Sequence, residues 1–239
     1  DKKLVVTKRG GPEVLQVSEE ELRKPSPGEV RVRILATPVC MPDVQARYGK
    51  SPIRSSIPFV PGYAIIGVVD SIGLEKRHSN RSTVQFSVGD LAAALTIYGG
   101  YAEYIYLPEN QLIPVPPGLD LAEAAIVILN YIVAYQCLHR SARVKSGDKV
   151  LIIGASGGIG TAFLQLGQLA GLKMYGLASQ NKHVILKEYG VTPIDYRNQD
   201  FVEVMRRAEP HGLDAVFDGM GGDYVDRGLS ILGRGGVFV

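Results

Sequence analysis

The sequence has little cysteine and histidine, no tryptophan and no marked excess of either charge. Cys40 and Cys137 are its only cysteines, too few for a disulfide framework, so we expect a reducing, cytoplasmic setting. Lysine and arginine number 26 against 24 acidic residues, and both signs are scattered, which is not typical of a nucleic-acid-binding surface. No apolar run stands out as long enough to span a bilayer, so neither nucleic acid nor membrane is expected as a partner.

Glycine, in contrast, is abundant, with 28 residues in 239, and it is dense at residues 154–160. A β-branched apolar run at 150–153 precedes this group, and apolar residues at helical spacing follow it at 161–170. Strand, glycine turn and helix are typical of a dinucleotide-phosphate site, because glycine lets backbone N–H groups approach a pyrophosphate and the helix N-terminus attracts the anion. An ordinary tight turn is the alternative. The predicted phosphate-binding residues are Ala155, Ser156, Gly157, Gly158, Ile159 and Gly160.

The two sides of the glycine group differ in pattern. Before it, short strands are separated by Gly/Pro turns and a polar loop at 74–87, which is typical of a β-barrel or sandwich. After it, apolar strands alternate with helices, which predicts a doubly wound parallel sheet. We therefore predict an α/β chain with a β domain at residues 1–120 and a dinucleotide-binding domain at residues 121–239. Because the predicted fifth parallel strand coincides with the end of the sequence, we expect a C-terminal part to be missing.

The residues after the second parallel strand favour NADPH over NADH. NAD-type sites carry an acid there for the ribose hydroxyls, but no acidic residue lies between Asp148 and Glu188. A carboxylate would repel a 2′-phosphate, whereas a hydroxyl and an ammonium group would receive it, and we assign these to Ser179 and Lys182. The alternative for Lys182 is a solvated surface residue.

Four segments carry a family resemblance: PSPGEVRVRILATPVCMPD, PFVPGYAIIGVVDSIG, GGYAEY and VKSGDKVLIIGASGGIGTAFLQLGQLAG. In order and spacing they resemble the medium-chain dehydrogenase/reductase superfamily, and within it the quinone oxidoreductase branch. The resemblance implies a chaperonin-10-like β-barrel domain, a Rossmann NADPH-binding domain incomplete at the C-terminus, and an active site in the cleft between them. It also implies a homodimer or homotetramer.

The resemblance bears on metal binding as well. Zinc alcohol dehydrogenases of this superfamily have a cysteine where Cys40 stands, but a Gly-His-Glu run where this sequence has Gly62, Tyr63 and Ala64. A catalytic zinc needs three protein ligands and an open position, which one thiolate cannot supply, so no metal is expected.

Together these points predict an enzyme that reduces a quinone, or an activated alkene or carbonyl, by hydride transfer from NADPH to this small electrophile. Three tyrosines are candidate proton donors, although each is equally compatible with a packing role: Tyr48, Tyr63 and Tyr98. Further candidate cofactor contacts are Asn130, Tyr196, Asp218, Gly219 and Met220. The alternatives are a zinc alcohol dehydrogenase, a non-catalytic nucleotide-binding protein with the same fold, and an enoyl-reductase module of a larger synthase.

Overall fold

The computed structural model describes residues 1–51, 53, 55–73 and 86–239, so most of the predicted loop at 74–87 lies outside it. The chain forms two compact units, Asp1–Leu129 and Asn130–Val239. The proline-rich stretch at 114–118 predicts the boundary at residue 120, whereas the structure divides the chain within helix α2 (Leu121–Gln136). The physical reason is packing within the first unit, where one apolar cluster includes Ala64, Ile66, Ala93, Ala124, Ala125 and Ile128.

The first unit is built mainly from antiparallel strands, with a short helix, α1 (Met41–Arg47), between the third and fourth strands in chain order. A hairpin is formed by β1 (Lys2–Val6) and β2 (Leu15–Glu19). A five-stranded sheet has the order β6-β3-β4-β5-β7, with the strands β3 (Glu29–Ala36), β4 (Ala64–Ile72), β5 (Leu91–Leu95), β6 (Tyr104–Pro108) and β7 (Ile113–Pro114). Strand β3 alternates between buried and exposed side chains, which made it recognisable in the sequence. Val30 and Val32 are fully buried, whereas Arg33, which lies between Val32 and Ile34, is exposed. Strand β2 escaped the sequence analysis because it has no fully buried residue.

The second unit is a five-stranded parallel sheet of order β10-β9-β8-β11-β12. Its strands are β8 (Lys149–Ile153), β9 (Lys173–Ala178), β10 (Thr192–Asp195), β11 (Leu213–Asp218) and β12 (Leu232–Phe238). Its helices are α3 (Gly158–Leu169), α4 (His183–Glu188), α5 (Phe201–Ala208) and α6 (Asp223–Leu229). Alternate residues of β8 enter different clusters: Val150 and Ile152 pack with α3, whereas Leu151 and Ile153 pack with α5. The sheet is thus covered on both faces, which confirms the predicted doubly wound class.

One helical stretch corrects an expectation from the sequence. Residues Leu121–Ala142, which comprise α2 and a following π-helical turn, form a 22-residue helix, and an 18-residue window within it has a mean hydropathy of 1.7 and is 33% buried. Among the residues described, it is the one helix long and apolar enough to cross a membrane by those two criteria. The sequence predicts this helix, from Leu121 to about His139 and mostly apolar, but Glu123 and Asn130 interrupt the apolar run, so it was not counted as long enough to span a bilayer. Core helices of soluble proteins meet the same two criteria.

Candidate functional site: the carboxyl edge of the parallel sheet

The predicted strand, glycine turn and helix are present at the centre of the parallel sheet. Strand β8 ends at Ile153 and is followed by Gly154, whose φ of +80° lies in the left-handed region that glycine adopts without strain. The Gly157 N–H donates to the Gly154 carbonyl at 3.0 Å, and α3 begins one residue later. The first N–H groups of a helix have no intrahelical acceptor, so those of Gly158, Ile159 and Gly160 are positioned to bind an anion.

Two glycines allow this turn to pack tightly. A Cβ on Gly160 would clash with the Gly154 carbonyl oxygen and would lie 2.6 Å from the carbonyl carbon of Ala155. Ala155 is itself fully buried, at the position where the fingerprint usually has its first glycine. Its methyl group is accommodated by Gly176 of β9, where a Cβ would lie only 2.9 Å away. Gly176 was missed by the sequence analysis, although a glycine inside a strand signals close approach of this kind.

The loop after β11 lies beside the glycine turn. Asp218 pairs with Ile153 in the sheet register, and its carboxylate accepts the N–H groups of Met220 at 2.8 Å and Gly221 at 3.1 Å. A Cβ on Gly154 would lie 3.7 Å from the Met220 side chain, so Met220, which is exposed, sits over the turn. The structure therefore brings the predicted segment from Asp218 to Met220 to the switch point of the sheet, while its role toward a cofactor stays a prediction.

Asn130 also approaches this turn. Its Nδ2 atom lies 2.7 Å from where a Cβ on Gly158 would be, so only glycine leaves room for the Asn130 amide. The amide and the first turn of α3 are thus neighbours in the second unit. A hydrogen bond from Asn130 to a nicotinamide stays a prediction.

A polar cavity of about 470 Å³ lies past the ends of β9 and β10. Its lining residues are Ser179, Gln180, Asn181, Asp195, Arg197 and Asn198. The Ser179 hydroxyl donates to Asn181 Oδ1 at 2.6 Å. Lys182 is exposed at the end of the turn Gln180–Lys182 and does not line the cavity, although the sequence analysis paired it with Ser179. Arg197 does line it and was not among the predicted residues; its place directly after Tyr196, which is 42% exposed, was the available signal.

The three candidate tyrosines lie in the first unit and differ in what their side chains contact. Tyr98 donates its hydroxyl to the Ile53 carbonyl at 2.8 Å. Tyr48 ends α1 with 47% of its surface exposed. Tyr63 is half-buried, and its hydroxyl has no hydrogen-bond partner among the residues that the structure describes. Burial, and to a lesser extent the neighbouring Tyr98 and Asp43, raise the pKa of Tyr63, so its hydroxyl stays protonated. Of the three tyrosines, Tyr63 is the one with a half-buried hydroxyl that has no hydrogen-bond partner among the described residues.

Asp43 organises the surroundings of Cys40. This carboxylate is 5% exposed and accepts the N–H groups of Cys40 at 3.0 Å and Gly62 at 2.9 Å. Burial raises the pKa of Asp43 despite these two hydrogen bonds. Burial, together with the negative charge of Asp43, raises the pKa of the Cys40 thiol to about 11. Within the described ranges no group of three or more His, Cys, Asp or Glu side chains could hold a metal ion, so these residues do not fit a catalytic zinc.

An antiparallel β unit followed by a doubly wound parallel sheet with a glycine turn at its switch point defines the class of dinucleotide-binding dehydrogenases and reductases. Comparison with known proteins narrows this class. Residues 26–117 match the family model for the alcohol dehydrogenase GroES-like domain. Human quinone oxidoreductase is 30% identical over 232 residues, which cover 95% of this chain and 68% of that protein. The chain belongs to the medium-chain dehydrogenase/reductase superfamily and, within it, to the quinone oxidoreductase branch, which confirms the resemblance and the predicted fold.

Other relatives show the breadth of this branch. The human synaptic vesicle membrane protein VAT-1 homolog is 33% identical over 233 residues, covering 96% of this chain and 58% of that protein. Mycobacterial Rv1454c, whose structure is a complex with NADPH, has a TM-score of 0.89 at 27% identity and covers 100% of this chain and 73% of its own. The chain spans about half the length of the VAT-1-type relatives, between 46% and 58%.

Proposed function

We propose that the protein is an NADPH-dependent, zinc-independent reductase of a quinone, or of an activated alkene or carbonyl. The observation that carries this proposal is the glycine turn of β8 and α3 beside a polar cavity whose β9 side has no acidic residue. The NADPH complex of Rv1454c and the identity with human quinone oxidoreductase support it. The same resemblance is the basis for proposing a cytoplasmic homodimer or homotetramer, which light scattering would test.

We propose the cofactor-binding residues that the sequence predicts. The segment from Ala155 to Gly160 would hold the pyrophosphate through backbone N–H groups. Ser179, in the lining of the polar cavity, and Lys182, exposed on the turn that follows it, would receive the 2′-phosphate. Around these, the remaining predicted contacts are Asn130, Tyr196, Asp218, Gly219 and Met220. When bound, NADPH supplies the hydride; the chain binds it, orients it and excludes water.

Tyr63 is the proposed proton donor. Its half-buried hydroxyl has no hydrogen-bond partner among the described residues, so it is left to donate to a substrate. Tyr98 already donates to Ile53, and Tyr48 is largely solvated, so both are weaker candidates. Zinc independence is proposed because Tyr63 and Ala64 stand where zinc enzymes of the superfamily have ligands, and because Cys40 is held as a thiol.

The test is NADPH oxidation by the protein with a panel of quinones and enones, beside isothermal titration with NADPH and metal analysis. We expect turnover without bound zinc, and we expect Tyr63→Phe to lower kcat while the Kd for NADPH stays unchanged. Tyr98→Phe is the matched control and should retain most of kcat. One zinc ion per chain, or no binding of NADPH, would overturn the proposal.

A second candidate is a nucleotide-binding protein without turnover. The observation that favours it is the set of VAT-1-type relatives, which are named as membrane proteins rather than as reductases. NADPH binding with no oxidation across the whole panel would select this candidate.

A further inference from the structure

We propose that Met220 is an oxidation-sensitive residue, and that conversion of its thioether to the sulfoxide weakens NADPH binding at the glycine turn. The inference rests on the proposed NADPH-dependent function and adds to it a modification site on the loop after β11. The oxidant is a peroxide, which transfers one oxygen atom to the sulfur.

Met220 is one of two methionines whose side chains an oxidant can reach. The sequence has four methionines. Met174 and Met205 belong to the apolar clusters on the two faces of the parallel sheet and are 3% and 1% exposed. Met220 is 65% exposed, and Met41, which begins α1 in the first unit, is 67% exposed. Because a peroxide must contact the sulfur atom to oxidise it, we expect modification at Met41 and Met220.

The Met220 sulfur lies against the glycine turn. A Cβ on Gly154 would lie 3.7 Å from both the Sδ and the Cγ of Met220, so the thioether packs over the Gly154 backbone. The Gly154 carbonyl accepts the Gly157 N–H at 3.0 Å, and α3 begins one residue later. A change at this sulfur therefore takes place beside the turn proposed to hold the pyrophosphate.

The loop that carries Met220 is fixed at both ends. The Asp218 carboxylate accepts the N–H groups of Met220 at 2.8 Å and Gly221 at 3.1 Å. Gly221 and Gly222 follow with φ of +70° and +62°, and α6 begins directly after them at Asp223. The Met220 backbone therefore has little freedom to carry a modified side chain away from the turn.

The chemistry of the sulfoxide opposes an anion at this place. The sulfur donates an electron pair to one oxygen of hydrogen peroxide, so that an S–O bond forms and the O–O bond breaks. The other oxygen leaves as water after taking the proton of the first, and the apolar thioether becomes polar. The sulfoxide oxygen carries partial negative charge and accepts hydrogen bonds. Beside a pyrophosphate it repels the phosphate oxygens and competes with them for the N–H groups that begin α3.

The experiment compares NADPH titrations of the whole chain before and after mild treatment with hydrogen peroxide, with peptide mass spectrometry to locate the sulfoxides. For wild type we expect sulfoxide at Met41 and Met220, and a Kd for NADPH about 10-fold higher after treatment, as for a polar group left without a partner. Methionine sulfoxide reductases should restore the affinity. Bound NADPH should slow the oxidation of Met220 but not that of Met41.

Two variants assign the effect to one sulfur atom. Met41→Leu is the matched control and should show the same rise in Kd as wild type, since its Met220 is still oxidised. For Met220→Leu we expect a ratio of the Kd after treatment to the Kd before treatment of about 1, whatever the starting value, because leucine has no sulfur to oxidise.

The outcomes separate this inference from the proposed function. If untreated wild type binds NADPH and the Kd is unchanged once Met220 is oxidised, the inference alone is wrong. It is also wrong if Met220→Leu loses as much affinity on treatment as wild type does, because another oxidised group, such as Cys40 or Cys137, is then responsible. If untreated wild type does not bind NADPH, the proposed function fails, and the role of Met220 with it.

Discussion

Glu209→Gln is the substitution that best tests how the parallel sheet is held at the end opposite the glycine turn. Glu209 follows α5 and is 5% exposed. Its Oε2 lies 2.6 Å from the Nζ of Lys149, its Oε1 lies 2.6 Å from the Nζ of Lys173, and Tyr175 donates its hydroxyl to Oε1 at 2.6 Å. Because the two lysines begin β8 and β9, one carboxylate ties two central strands together.

The magnitude follows from the pKa of this carboxyl group. Burial alone would raise it, but the bonds from Lys149, Lys173 and Tyr175 outweigh burial and lower the pKa of Glu209 from 4.5 to about 2. At about 1.4 kcal/mol for each unit this is about 3 kcal/mol. The lysine side chains are 37% and 56% exposed, so solvent screening reduces the charge contribution to about 2 kcal/mol. The folded pKa lies below the unfolded one, so this stability is present above about pH 4.5 and is lost as the pH falls toward 2.

The assay is urea unfolding followed by far-ultraviolet circular dichroism, since the sequence has no tryptophan. We expect Glu209→Gln to lower the free energy of unfolding of the second unit by about 2 kcal/mol at pH 7, and the difference to shrink toward pH 2. Glu203→Gln, at a carboxylate with 66% exposure paired to Arg207, is the control and should cost less than about 0.5 kcal/mol. A loss for Glu209→Gln no larger than the control, or one independent of pH, would refute the reasoning.

Two further predictions concern the glycine turn and the half-buried Cys40 thiol. Gly160→Val places a Cβ against the Gly154 carbonyl, so the turn must shift. We expect titration to show that the variant no longer binds NADPH. A variant with a near-native circular dichroism spectrum and unchanged affinity for NADPH would contradict this prediction. The pKa of Cys40, about 11 against an ordinary 9, leaves about 100-fold less thiolate at pH 8, so iodoacetamide labelling of Cys40 followed by mass spectrometry should be slower than that of a free cysteine by about that factor. Labelling as fast as the free thiol would show that the thiolate is not suppressed.

Local patterns predicted most of the fold. The alternating run at 29–36, with a Pro-Gly turn before it, predicts a strand from the sequence, and β3 has those bounds. The run at 173–178 also predicts a strand, and β9 spans the same residues. Features that depend on distant partners were not predicted. The two compact units divide after Leu129, within α2, because Ala124 and Ile128 pack with strand residues of the first unit, and no pattern within the helix reveals such a partner.

The candidate site divides in the same way. The glycine turn and the acid-free segment after β9 are local in sequence, so they could be predicted from spacing alone. Arg197 could not, because it lines the same cavity as Ser179 only through the parallel pairing of β9 and β10. The close packing of Ala155 against Gly176 could not be predicted from spacing either, because it depends on the register between two strands.

The sequence by itself therefore determined the order of strands and helices, the phosphate-binding turn and the family. Only the tertiary structure decided which cation faces the cavity, that the Tyr98 hydroxyl donates to Ile53, and which lysines share Glu209. The physical reason is that turns and periodicity are set by neighbouring residues, whereas contacts between side chains are set by sheet register and packing, which join residues far apart in the chain.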